Sequence, residues 1–208
     1  MRLWLGAAGL LVLGCVWLGP LHTLAPGPFA AHMTMHMGVV AIAAPLLAFA
    51  LAGEELDPVR RYPRLFPPLA ASVAELIAVW TWHAPAPHAW ARGSISGLVL
   101  EQATFLGTGL WLWLAAFGGE RTQRGERSAR GGIALLLTSM HMTLLGALLA
   151  LPPRPLYPHH MMHGGLSPLE DQHLGGAIML VVGGCVYLAG GLLVAAQLLR
   201  PMQAERVR

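Results

Sequence analysis

Charge is scarce in this chain of 208 residues: Asp, Glu and Arg together make up 11% of it, against about a quarter in a soluble domain. That argues against an ordinary soluble enzyme. Lysine is absent, so the 13 basic residues are all arginine, and only two cysteines occur, Cys15 and Cys185, each inside an apolar run. At most one bridge could form, which excludes a disulfide scaffold; each cysteine reads as a small buried residue or, alternatively, a Cu(I) ligand. Apolar residues fill the gap, at 55% of the chain with a mean hydropathy of +0.58, and exclude intrinsic disorder. Also missing are a CxxC pair, a phosphate loop, a nucleotide-binding glycine fingerprint and a nucleophile elbow.

Six apolar segments, about 3–19, 30–52, 65–83, 95–117, 132–151 and 174–199, approach the length of a membrane-crossing helix. Prolines and glycines punctuate the stretches between them. The sequence predicts an all-α, polytopic bundle of six transmembrane helices, a single domain over 1–208 with no internal repeat. Arginine placement sets the expected orientation. With both termini cytoplasmic, Arg2, then Arg60, Arg61 and Arg64, then Arg121, Arg124, Arg127 and Arg130, then Arg200, Arg206 and Arg208 lie inside, leaving only Arg92 and Arg154 outside. The net charge of +3 is therefore read as membrane topology and not as a nucleic-acid surface. Trp4, Trp111 and Trp113 are expected at the inner interface, and Trp17, Trp80, Trp82 and Trp90 at the outer one. The first segment also has the outline of a secretory signal, whose removal would leave the other five spans in place.

Ten histidines are many for such a chain. On this topology nine are outward: His22 ends the first segment, His32 and His36 begin the second, His83 ends the third and His88 follows it, while His159, His160, His163 and His173 lie in or beside the last outer loop. His141 falls near the middle of the fifth segment, between Met140 and Met142. Helical residues three and four apart share a face, so His32, Met35 and His36 form one stripe. Imidazole with thioether is a copper-binding set, because soft sulfur suits Cu(I) and neutral imidazole accepts either oxidation state. A methionine packing face is the plainer reading. His32 and His36, met by His83 from another helix, are candidate metal ligands; His141 reads as a deep ligand or a hydrogen-bonded packing residue. His88, His159, His160 and His163 read as solvated loop residues or a loose metal-capture patch. Glu75 and Glu101 read as acceptors that orient imidazoles, or as hydrogen-bonded core.

Four pieces of the chain carry a family likeness. Leu166-Ser167-Pro168-Leu169-Glu170-Asp171-Gln172-His173-Leu174-Gly175-Gly176-Ala177-Ile178-Met179 resembles the signature entering the last helix of the CtaG family of cytochrome c oxidase assembly factors. In matching order stand His32 and His36 followed by Ala44-Pro45-Leu46-Leu47, then Trp82-His83-Ala84-Pro85, then Arg154-Pro155-Leu156-Tyr157-Pro158. The resemblance covers about residues 30–180. Two departures stand out: Glu101-Gln102 where family members often have Glu-His, and His173 where they often have Gln.

The resemblance implies a non-catalytic, multi-pass protein of the bacterial plasma membrane, required for maturation of a haem-copper oxidase of the respiratory chain at its copper-delivery stage. Its implied partners are oxidase subunits, periplasmic copper chaperones and the lipid bilayer. With the histidine pattern it gives an expected metal set of His32, His36, His83, His141, Asp171 and His173 on a periplasmic face, copper as the cofactor, and Asp171 as either a ligand or an acceptor behind one. Two other classes remain open. One is a membrane cytochrome with haem between facing histidines; the other is a copper or proton transporter, with Glu75, His141 and Glu101 as its trail across the bilayer.

Overall fold

The computed structural model describes residues 2–20, 24–119, 124–157 and 166–206, which form helices and turns with no strand among them. All six apolar segments are helical. Helix α1 is Arg2–Leu18. Helix α2, Pro28–Met37, passes through a π-helical stretch, Gly38–Ala43, into α3, Ala44–Leu51. Then come a short α4, Pro58–Arg61, followed by α5, Pro68–Trp82, α6, Pro85–Gly93, and α7, Ile95–Phe117. Helix α8 is Arg124–Ala150. Helix α9, Pro168–Ile178, continues through a second π-helical stretch, Met179–Gly183, into α10, Gly184–Arg206. Prolines open α2, α5, α6 and α9, where the missing N–H costs nothing.

Four continuous stretches, Pro28–Leu51, Ile95–Phe117, Arg127–Ala150 and Pro168–Leu199, are long and apolar enough to cross a membrane. Helices α1 and α5, at 17 and 15 residues, are apolar but shorter. The sequence places the start of α5 at residue 65, but Pro63–Leu65 forms a separate 3-10 turn and the helix opens at Pro68. The chain is a multi-pass membrane protein. Its outward faces carry exposed Leu11, Ile77, Leu148 and Val181, as a lipid-facing surface requires.

The rod Pro28–Leu51 occupies the centre. It is 61% buried, against 33 to 44% for the other three long stretches, and it packs on α1, α7 and the α9–α10 rod. A side chain on almost any of its faces is therefore core. Trp113, expected at an interface, is 2% exposed and stacks between Phe117 and Tyr187, with ring centroids 5.8 and 5.4 Å away.

The π-helical stretch in this rod has a local cause. The Ala44 amide bonds to the Val39 carbonyl five residues back, and the next residue, Pro45, has no N–H, so Val40 C=O finds no helical donor at either offset. The Tyr187 hydroxyl, 3.2 Å away on α10, takes that carbonyl and also contacts Glu75 Oε1. In the second rod, Ser139 Oγ on α8 donates to Gly184 C=O at 2.9 Å, just past the other π-helical stretch.

Close approach of α9 to its neighbours depends on glycine. A Cβ at Gly176 would lie 2.5 Å from the Ala150 amide nitrogen, and one at Gly175 would lie 2.4 Å from the Phe29 ring. Small residues let membrane helices meet backbone to backbone.

Candidate metal centre

At one end of the bundle the starts of α2 and α7, the end of α5 and all of α6 converge, and they bring a set of imidazoles with them. His32 and His36 project from α2 one turn apart, their rings stacked with centroids 6.3 Å apart and planes 7° from parallel. His83, the C-cap of α5, stands 5.4 Å from the His32 ring and 5.2 Å from the His36 ring. His88 from α6 meets His32 edge-on at 4.8 Å. All four are buried, as is Glu101 of α7. Phe105, one turn beyond Glu101, closes the deep side 4.0 Å from the His36 ring.

The ring nitrogens point to a ligand. His83 Nδ1 lies 2.6 Å from the Val79 carbonyl, an acceptor, so Nδ1 carries the hydrogen and Nε2 keeps its lone pair. That is the usual arrangement of a metal-binding imidazole anchored through its other nitrogen. His83 Nε2 and both nitrogens of His32 and of His36 are buried without a hydrogen-bonding partner among the described residues. Each such atom costs about 1–3 kcal/mol if nothing satisfies it. One ligand atom each from His32, His88 and Glu101 lie within 4.8 Å of one another. Donors about 2.0–2.1 Å from a tetrahedral ion are about 3.4 Å apart, so small side-chain rotations close the gap.

Glu101 is held from behind. Its Oε2 accepts from Arg92 Nη2 and, at 3.1 Å, from Gln102 Nε2, and lies 3.7 Å from His32 Nδ1; its Oε1 has no hydrogen-bonding partner among the described residues. Gln102 Oε1 accepts from Trp17 Nε1 of α1 at 3.0 Å, which fixes the amide with its NH2 toward Glu101. Trp17 and Gln102, with Met35 and Leu98, line a lateral cavity of about 400 Å³ on the outside of this wall.

Of the expected metal set, His32, His36 and His83 are brought together. His141 of α8 is buried within electrostatic reach of His36, with no hydrogen-bonding partner for either ring nitrogen among the described residues. Asp171 and His173 are placed differently. Asp171 accepts from the Phe29 and Ala30 amides at 2.8 and 2.9 Å, capping α2 from α9, and Gly27 is tucked so close that a Cβ would strike the carboxylate. His173 Nε2 faces the Pro152 carbonyl at 2.9 Å. The rest of that signature also builds structure. Ser167 and Glu170 form a capping box, while Gln172 accepts from the Leu156 amide at 2.6 Å and donates to the Leu149 carbonyl at 3.1 Å. The loop so pinned delivers Tyr157, which stacks on Phe29, contacts the His88 ring at 4.5 Å and donates to the His83 carbonyl.

His88 and Glu101 are the residues that sequence reasoning left out of the set. The sequence reads His88 as a solvated loop residue or part of a loose metal-capture patch, but Pro85 opens a helix there, and the i, i+4 pair His88 and Arg92 turns one face of that helix onto the cluster. The methionines divide between two faces: Met35 lines the lateral cavity, whereas Met33 and Met37 pack toward the final rod at Gly175 and Gly183. His22, His159, His160 and His163 lie outside the described residues.

A buried imidazole and carboxylate cluster at one end of an apolar helix bundle defines a membrane protein with a built polar chamber. The chain belongs to the cytochrome c oxidase caa3 assembly factor (CtaG) family, whose model matches residues 1–201. No curated protein and no solved structure matches it. It is a cytochrome c oxidase assembly factor by family, and oxidase and membrane lipid are its context.

Proposed function

We propose that this assembly factor holds a copper ion in the chamber formed by His32, His36, His83, His88 and Glu101, with His141 beneath it, and passes the ion to a haem-copper oxidase during maturation. The observation that carries the reading is the convergence of the buried His32, His36 and His83 nitrogens from two separate helices, with no hydrogen-bonding partner for them among the described residues beyond the Val79 carbonyl that orients His83. Imidazole suits copper, zinc, iron and nickel, and a role in assembling an oxidase supports copper among them. The role is delivery and not catalysis. Six spans with both termini cytoplasmic, the arginine-rich segments inside and the histidine chamber toward the periplasm, give a copper chaperone on that side access to the site.

His32 and His36 share one face of one helix, and His83 and His88 stand only 5.4 and 4.8 Å from the His32 ring, so these pairs do not flank a haem macrocycle, which favours an ion over the cytochrome reading. Purified protein is expected to bind about one copper per chain, with nitrogen hyperfine coupling in the Cu(II) EPR spectrum, and His36→Ala or His83→Ala to abolish it. Unchanged copper stoichiometry in both variants refutes the site, and a Soret band from haem-replete cells would restore the cytochrome. In cells, deletion should lower oxidase activity and added copper should restore it.

A further inference from the structure

Glu101 cannot serve a metal ion and Arg92 equally. The two form an ion pair at the chamber wall, with Glu101 fully buried and the Arg92 side chain 23% exposed, so the guanidinium plugs the carboxylate from the direction of water. Arg92 is imperfectly satisfied there, since its Nε is buried with no hydrogen-bonding partner among the described residues. It shares α6 with His88, one turn away, and is close enough to act electrostatically on His32 and His83. A fixed positive charge beside a cluster of neutral imidazoles repels any entering cation, and the low-dielectric surroundings make that repulsion strong. The only anion in contact with the imidazoles among the described residues is the one that Arg92 neutralises.

We propose that Arg92 is the resident counter-cation of the chamber: an entering metal ion displaces it from Glu101, and its return to the carboxylate helps expel the ion. This inference rests on the chamber being a metal site and adds a regulator to it. Arg92 swings toward water when the ion takes over Glu101, a short movement for a head group already partly exposed. The device keeps affinity below what the donor set alone would give, which suits a protein that must surrender its cargo.

The test is Cu(II) affinity of the full chain in detergent, by competition with nitrilotriacetate. Arg92→Gln removes the charge and should tighten binding by about tenfold or more, whereas Arg92→Lys, which keeps it, should stay within about threefold of the parent protein. A purely structural arginine predicts the reverse sign, so weakened or unchanged binding in Arg92→Gln overturns the proposal. A second measurement needs no substitution: in arginine-labelled protein, the Arg92 Nε–H signal should gain mobility and exchange faster with water when diamagnetic Zn(II) is added. A signal that stays rigid under saturating zinc also overturns it. If the parent chain binds neither ion, the metal reading itself has failed, a result distinct from loss of the Arg92 effect alone.

Discussion

Asp171 lies in the most recognisable stretch of the sequence, yet its carboxylate is committed to two backbone amides at the start of α2. Asp171→Ala leaves those donors bare and should destabilise the protein by about 1–3 kcal/mol, seen as a lower melting temperature in detergent. Copper affinity of the fraction that folds should change far less than in His36→Ala. Tyr157 sits outside the long spans and is read through its titration. Burial pushes its phenol up to about 12 from the usual value of about 10. Because the folded value is the higher one, the contribution of Tyr157 to stability is complete below about pH 10 and is lost as pH rises through about 12. The difference in 295 nm absorbance between the parent protein and Tyr157→Phe should show one phenol ionising late; ionisation near pH 10 would contradict its burial against Phe29 and His88.

Elements fit together here through backbone groups that one helix lacks and another supplies. Pro45 removes the amide that Val40 C=O would take, and Tyr187 on α10 replaces it while touching Glu75 on α5. Tyr187→Phe should therefore cost about 1–3 kcal/mol. In a Pro45→Ala background, where the helix has its own donor, the same substitution should cost less, and a double-mutant cycle measures the difference. Additivity of the two changes would mean that the π-helical stretch and the tyrosine are unconnected. Gly176 shows the opposite need, for absence of bulk: Gly176→Val drives a side chain into the α8 backbone and should prevent α9 from docking, with loss of folded protein on expression.

For the whole molecule, the chamber lies where α2 and α7 start and α5 ends, whereas Arg60, Arg61, Arg64, Arg127 and Arg130 lie where α3 and α7 end and α5 and α8 start. The proposed orientation is checked by labelling engineered cysteines in intact cells with an impermeant maleimide, in a background lacking Cys15 and Cys185. Trp90→Cys on α6 should react from outside, whereas Arg61→Cys on α4 should react only after permeabilisation; the reverse pattern would turn the chamber toward the cytoplasm. The six helical segments, the apolar exterior and the pairing of His32 with His36 were legible in the sequence, because hydropathy and a 3.6-residue period are local properties. Local reading could not see that α6 folds His88 inward, that Glu101 completes the cluster while Asp171 caps a helix, or that Trp113 belongs to the core. Solvation of one chain segment at a time fixes which residues leave water, and so composition alone made this a helical membrane protein. Which buried polar atoms then face one another, and which are left for a ligand, depends on how helices distant in sequence cross, and only the packed bundle decided that.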